Sequence, residues 1–160
     1  FGNHSLPNLF HQWFPSGRGT LSATARSLSL LGNVAMLGGL AWAFRAPSDE
    51  PLQRAAQSGA VGIVILLFPV YTYEHHLVWA LPAAAIGVLG VLGGRLGVRY
   101  AGVLGVAVAL LCCELAGLKR WADAEDTLWL VGQATQELKT VSLFALLATT
   151  IRLGRTKEPG

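Results

Sequence analysis

The sequence predicts an all-α, polytopic transmembrane helical bundle, with about five spans and a short N-terminal interfacial helix. Three observations predict it. Of 160 residues, 52% are hydrophobic and only 13% charged, about half of the roughly 25% charged residues usual in a soluble domain. The mean hydropathy is +0.49. The charges gather in short clusters that separate apolar stretches long enough to span a membrane, for which about 20 helical residues are needed.

The chain opens with Phe1-Gly-Asn-His-Ser-Leu-Pro-Asn-Leu-Phe-His-Gln-Trp-Phe-Pro15. Ser5 is placed to cap a helix with Pro7 in its first turn. Leu6, Leu9, Phe10, Trp13 and Phe14 then form one apolar face, which suits a helix lying on a leaflet. Residues 1–19 therefore form an outer-face interfacial helix and turn, and residues 20–160 a transmembrane region. The first span runs from Leu21 to Phe44, with Thr20 as N-cap and Arg45-Ala-Pro47 as its stop. The second runs from Ala55 to Tyr73, kinked at Pro69, and the third from Leu77 to Gly94, where Gly87, Gly90 and Gly94 offer close helix contact. The fourth runs from Val98 to Leu118, and the fifth from Thr127 to Leu153, its first half polar on one side.

Counting Lys and Arg orients these spans. The loop at 45–57, the turn at 95–99 and the tail from 152 carry 7 basic residues, against 5 in residues 1–26, 74–76 and 119–139. The expectation is a multi-pass protein of the plasma membrane, with the N-terminal segment and the turn at residues 74–76 on the outer face. The chain starts at Phe1 without a signal-type segment, so it reads as the C-terminal part of a longer membrane protein. A net charge of +3 fits such a protein and gives no basic-aromatic surface for nucleic acid. Cys112 and Cys113 are adjacent, where a disulfide is strained, and read as a free pair.

Two polar groups share the outer face: Asn3-His4-Ser5 with His11, and Glu74-His75-His76 with Trp79. Ionisable side chains at the junction of two apolar runs are costly unless they serve a purpose. Imidazole titrates near neutrality and can donate to a phosphate oxygen or carry its proton. The plainer readings are a solvated turn at residues 74–76 and simple helix capping at Ser5. No metal site is expected: His4 and His11 are too far apart along a helix, and adjacent histidines rarely chelate together. Glu114 reads as an ion pair with Lys119 or Arg120. Gln133, Gln136, Glu137 and Lys139 line an outer cavity or form an interfacial helix, and Trp121 and Trp129 read as interfacial belt residues.

At these two groups the chain resembles the polyprenyl-phosphate-mannose-dependent glycosyltransferases of glycosyltransferase family 87, in the GT-C superfamily. Asn3-His4-Ser5-Leu6, followed by Phe10-His11, is similar to that family's Asn-(Gln/His)-Ser-Leu element. His75-His76-Leu77-Val78-Trp79, with Leu81-Pro82-Ala83, is similar to its double-histidine element. The chain departs from the family at Thr72-Tyr73-Glu74, where a Ser-Trp pair is frequent, and at Gln12, where an Arg is common.

The resemblance implies an integral-membrane transferase of the cell envelope. It would move a hexose, mannose by analogy, from a polyprenyl-phosphate donor to a glycan or glycolipid acceptor. No cofactor is implied beyond the lipid-linked donor, and membrane lipids are partners. His75 or His76 would face the phosphate, Asn3, His4, Ser5 and Glu74 would bind substrate, and Trp79 would pack the pocket wall. The acidic general base would lie upstream of this chain. The competing classes are a multi-span carrier or channel, whose Glu74-His75-His76 relays protons or ions, and a structural membrane subunit.

Overall fold

The computed structural model describes residues 5–16, 20–46, 48–69, 74–112 and 129–155, with the side chains of residues 74–75 and 129–136 left aside. Among these residues there are six α-helices and one 3-10 helix, and no strand.

The first helix, α1 (Leu6–Trp13), starts where local chemistry directs it. The Ser5 hydroxyl accepts the Asn8 N–H at 3.3 Å, and the Phe14 N–H closes the last turn on Phe10 O at 2.9 Å. Helix α2 (Ala23–Ala43) is capped by Ser22, which accepts from Ala25 N at 3.1 Å, so Thr20 is not the cap. The same Ser22 hydroxyl lies 2.8 Å from Phe14 O and donates to it, tying the end of α1 to the start of α2. Helix α3 (Pro51–Leu67) begins earlier than its apolar run suggests, because the Glu50 carboxylate accepts from Leu52 N and Gln53 N at 3.1 and 2.9 Å. Proline at the first helical position fits this start. The helix stops at Leu67, so Pro69 terminates it and kinks nothing.

A 3-10 helix (Glu74–Ala80) leads directly into α4 (Leu81–Leu92), and α5 (Val98–Cys112) and α6 (Trp129–Gly154) complete the described chain. The α4–α5 turn depends on Gly94, whose φ of 69° is left-handed. There Arg95 N and Leu96 N reach back to Gly90 O at 2.8 and 3.1 Å, so the freed carbonyl at the helix end is satisfied. A side chain at φ > 0 crowds its own backbone. Gly94→Ala is therefore expected to lower unfolding free energy by about 1 kcal/mol, read as a shifted urea midpoint. Gly97→Ala, in open space with ordinary φ, serves as the neutral reference.

Helices α3 and α6 form the centre. Ala60, Ile63, Val64 and Leu67 of α3 share one buried cluster with Leu143, Leu146 and Leu147 of α6, and Ala83 and Ala84 of α4 close it. Small residues permit the approach: a Cβ added at Gly59 would lie 3.4 Å from the Ala83 Cα. Ser142, Thr149 and Thr150 are buried on α6, and their hydroxyls donate to carbonyls one turn back at 2.7 to 3.0 Å. This pairing satisfies polar groups without a second helix.

The structure corrects the transmembrane reading. Among the described residues no helix is long and apolar enough to cross a membrane. Helices α3 and α4 have 17 and 12 residues, and the described part of α5 has 15. At about 1.5 Å per residue they fall short of a hydrocarbon layer of ~30 Å. Helices α2 and α6 have 21 and 26 residues, but Arg26, Ser29 and Asn33 interrupt the first and Glu137, Lys139 and Thr140 the second. The five spans, the multi-pass plasma-membrane location and the inner and outer faces derived from them are therefore overturned. So is the multi-span carrier, which needs the same spans. The N-terminal helix packs on α2, with Leu6 and Phe10 against Gly32.

Candidate functional site at one end of the bundle

Chain direction sorts the segments between two ends. Helix α2 starts, α3 ends, α5 ends and α6 starts at one end. The 3-10 helix lies there because it follows α3 and precedes the returning α4. Helix α1 reaches the same end, since Trp13 Nε1 donates to Glu137 Oε1 of α6 at 3.1 Å. The C-terminal end of α1 thus reaches the end that carries the 3-10 helix, although 124 residues separate Trp13 from Glu137, while Leu6 lies farther along α2 at Gly32.

Individual residues fare differently. Asn3 and His4 lie outside the described residues, as do Cys113, Glu114, Lys119, Arg120 and Trp121. The side chains of Trp129, Gln133 and Gln136 are likewise outside the description. Ser5 is fully buried, with its hydroxyl engaged as the α1 cap, as the plainer sequence reading has it. Glu74 and His75 are placed by backbone alone. His76 is half-buried. Trp79 is 70% exposed and is not among the residues lining the two hollows described below.

The 3-10 geometry matters to this assignment. Its repeat of three residues per turn puts Glu74, Leu77 and Ala80 in one register. His75 and Val78 share the second, and His76 and Trp79 the third. Leu77 and Ala80 are buried against the core. Residues of the first two registers border a hollow of about 200 Å³, lined by Leu77, Val78, Ala80, Leu81, Ala84, Val108, Leu111 and Cys112. A further hollow of about 250 Å³ continues between α4 and α5, and Val108 lines both. Together they make an apolar furrow from the 3-10 helix to Leu92 and Ala101.

Three polar atoms near α1 are buried without a hydrogen-bond partner among the described residues: His11 Nδ1, Gln12 Oε1 and Asn33 Oδ1. An unmet buried polar atom costs about 1–3 kcal/mol. Asn33 follows Gly32, the residue on which α1 packs, so these groups belong to the α1–α2 contact. In the sequence Asn33 stands out as a lone amide within an apolar run. The Trp13–Glu137 bond and the burial of Lys139, 5% exposed, carry no local signal of that kind. Among the described residues no three His, Cys, Asp or Glu come together as a metal site. No protein-family model, no curated protein and no solved structure matches the chain.

Proposed function

We propose that this chain supplies the donor side of a glycosyltransferase that takes a hexose from a polyprenyl phosphate and passes it to a glycan or glycolipid hydroxyl. The observation that carries the reading is the apolar furrow beside the double-histidine segment, about 200 Å³ at its upper hollow. An isoprenoid tail is long, narrow and wholly apolar, and its phosphate requires hydrogen-bond donors where the tail ends. A furrow that begins at Leu77 and Val78, directly after the double histidine in the chain, offers both in sequence. The resemblance of residues 75–83 to the family 87 element supports the same assignment.

In the proposed reaction the acceptor oxygen attacks the anomeric carbon, and the bond from that carbon to the phosphate oxygen breaks. The electron pair leaves with the lipid phosphate, whose charge a histidine stabilises. The acceptor proton passes to an acidic base, which the resemblance places upstream.

The test is transfer from polyprenyl-phosphate hexoses of different tail length by the protein that carries this chain. Gly105 lines the lower hollow, and a Cβ there meets nothing within 4 Å. Gly105→Leu therefore adds bulk to the lining of the furrow without a clash at its Cβ. It is expected to raise KM for a long-tailed donor about tenfold or more, while a short-tailed donor is little affected. An equal effect on both donors, or none on either, removes the furrow from the donor site.

A further inference from the structure

The end of the bundle opposite the double histidine is rich in arginine. Helix α2 ends there, α3 begins there, the α4–α5 turn lies there and α6 ends there. The segments touch: Gln57 Nε2 donates to Gly154 O at 3.3 Å, and Gly154 packs on the Phe44 ring. Arg45, Arg54, Arg95, Arg99, Arg152 and Arg155 gather at this end, against Asp49 and Glu50 among the described residues. Glu50 is already engaged, capping α3 and lying 3.8 Å from Arg95 Nη2. All but Arg95 are exposed.

Two of these cations are held in place. The Arg155 and Arg45 guanidinium carbons lie 4.6 and 5.3 Å from the centroid of the Trp42 ring, whose π face offsets their mutual repulsion. Large apolar side chains stand among the arginines: Trp42 is 58% exposed, Leu92 78% and Val98 85%. At the other end the described cations are Arg26 and the buried Lys139, accompanied by Glu137.

We propose that the arginine end docks on an anionic phospholipid surface at headgroup depth. Charge complementarity is the first argument, since guanidinium forks match phosphate oxygens. The second is the pattern of apolar residues between them. Leu92, Val98 and Trp42 require an apolar layer just beneath a layer of phosphates, which a bilayer interface provides. A nucleic-acid backbone presents phosphates with no such layer under them. No described helix crosses the bilayer in this arrangement. The lower hollow opens at Leu92 and Ala101 on this same end, so a prenyl tail rooted in the surface has an apolar path toward His75. That path rests on the donor reading; the docking does not.

Co-sedimentation of the full chain with phosphatidylglycerol–phosphatidylcholine vesicles, against pure phosphatidylcholine, tests the proposal without any transfer assay. Stronger binding to the anionic vesicles, weakening as salt rises, is expected. Combined Arg45→Gln, Arg99→Gln and Arg155→Gln should weaken anionic partitioning on the order of 10²-fold, from about fivefold per charge. Lys at the same three positions should retain it. Equal, salt-insensitive binding to both vesicle types overturns the proposal. So does parent-like binding by the Gln variant, or displacement from vesicles by duplex DNA at matched phosphate. If the Gln variant loses its helical circular dichroism, the salt dependence of the parent and the Lys variant decide.

Discussion

His75→Ala, in the protein that carries this chain, is expected to lower kcat for transfer from a polyprenyl-phosphate hexose by about 10²- to 10³-fold. The loss falls on kcat because the lipid phosphate gains charge only as the glycosidic bond breaks, so its stabiliser acts in the transition state. Register separates the two histidines. In the 3-10 helix His75 repeats with Val78, which lines the upper hollow, whereas His76 repeats with Trp79, which lines neither hollow. His76→Ala should therefore cause the smaller loss, and Trp79→Ala a smaller loss still. An α-helical turn gives another grouping, with His75 and Trp79 on one face. The rank order of the three variants thus reports the backbone geometry as well as the chemistry. Unchanged helical circular dichroism must accompany each measurement. Near-parent rates for both histidine variants would remove this segment from the donor site.

The sequence disclosed local structure best where a cap or a proline set it. Ser5 and Pro7 announce α1, and the structure places the Ser5 hydroxyl on the Asn8 N–H. Glu50-Pro51 is an equally local signal for α3, yet an apolar-run reading starts that helix at Ala55 because it weighs hydropathy above capping. Pro69 shows the same conflict: within a continuous apolar stretch it reads as a kink, and the chain instead ends the helix at Leu67. Apolar runs alone do not separate a span from a core helix, since both lack a polar face. Their lengths become legible only after Leu67 and Leu92 are known as helix ends.

The candidate site was legible as residue types and not as an arrangement. Glu74-His75-His76 is visible as polar residues between apolar runs, but nothing in that string sets a three-residue repeat. Nor does any local pattern join Trp13 to Glu137. Their bond follows from α6 packing along α3, which carries residue 137 to the end where α1 lies.

That dependence makes Leu146 the position whose loss should cost the fold most. Leu146 is fully buried on α6, in the cluster that includes Ile63 and Leu67 of α3 and Ala83 of α4. Leu146→Ala removes apolar surface and leaves a cavity that helices on several sides cannot all collapse to fill. A destabilisation of about 2–5 kcal/mol is expected. Val141→Ala on the same helix, where the side chain is 56% exposed, should stay within about 0.5 kcal/mol. Denaturant unfolding read by circular dichroism distinguishes them, with a lower midpoint at unchanged slope as the signature of lost packing. Because α6 also carries Glu137, a loosened α3–α6 contact should weaken the tie to Trp13, and protection of α1 amides from hydrogen exchange should fall with it. If Leu146→Ala costs no more than Val141→Ala, then α3 and α6 are not the centre of the bundle, and the tie of α1 to α6 through Trp13 and Glu137 loses its structural cause.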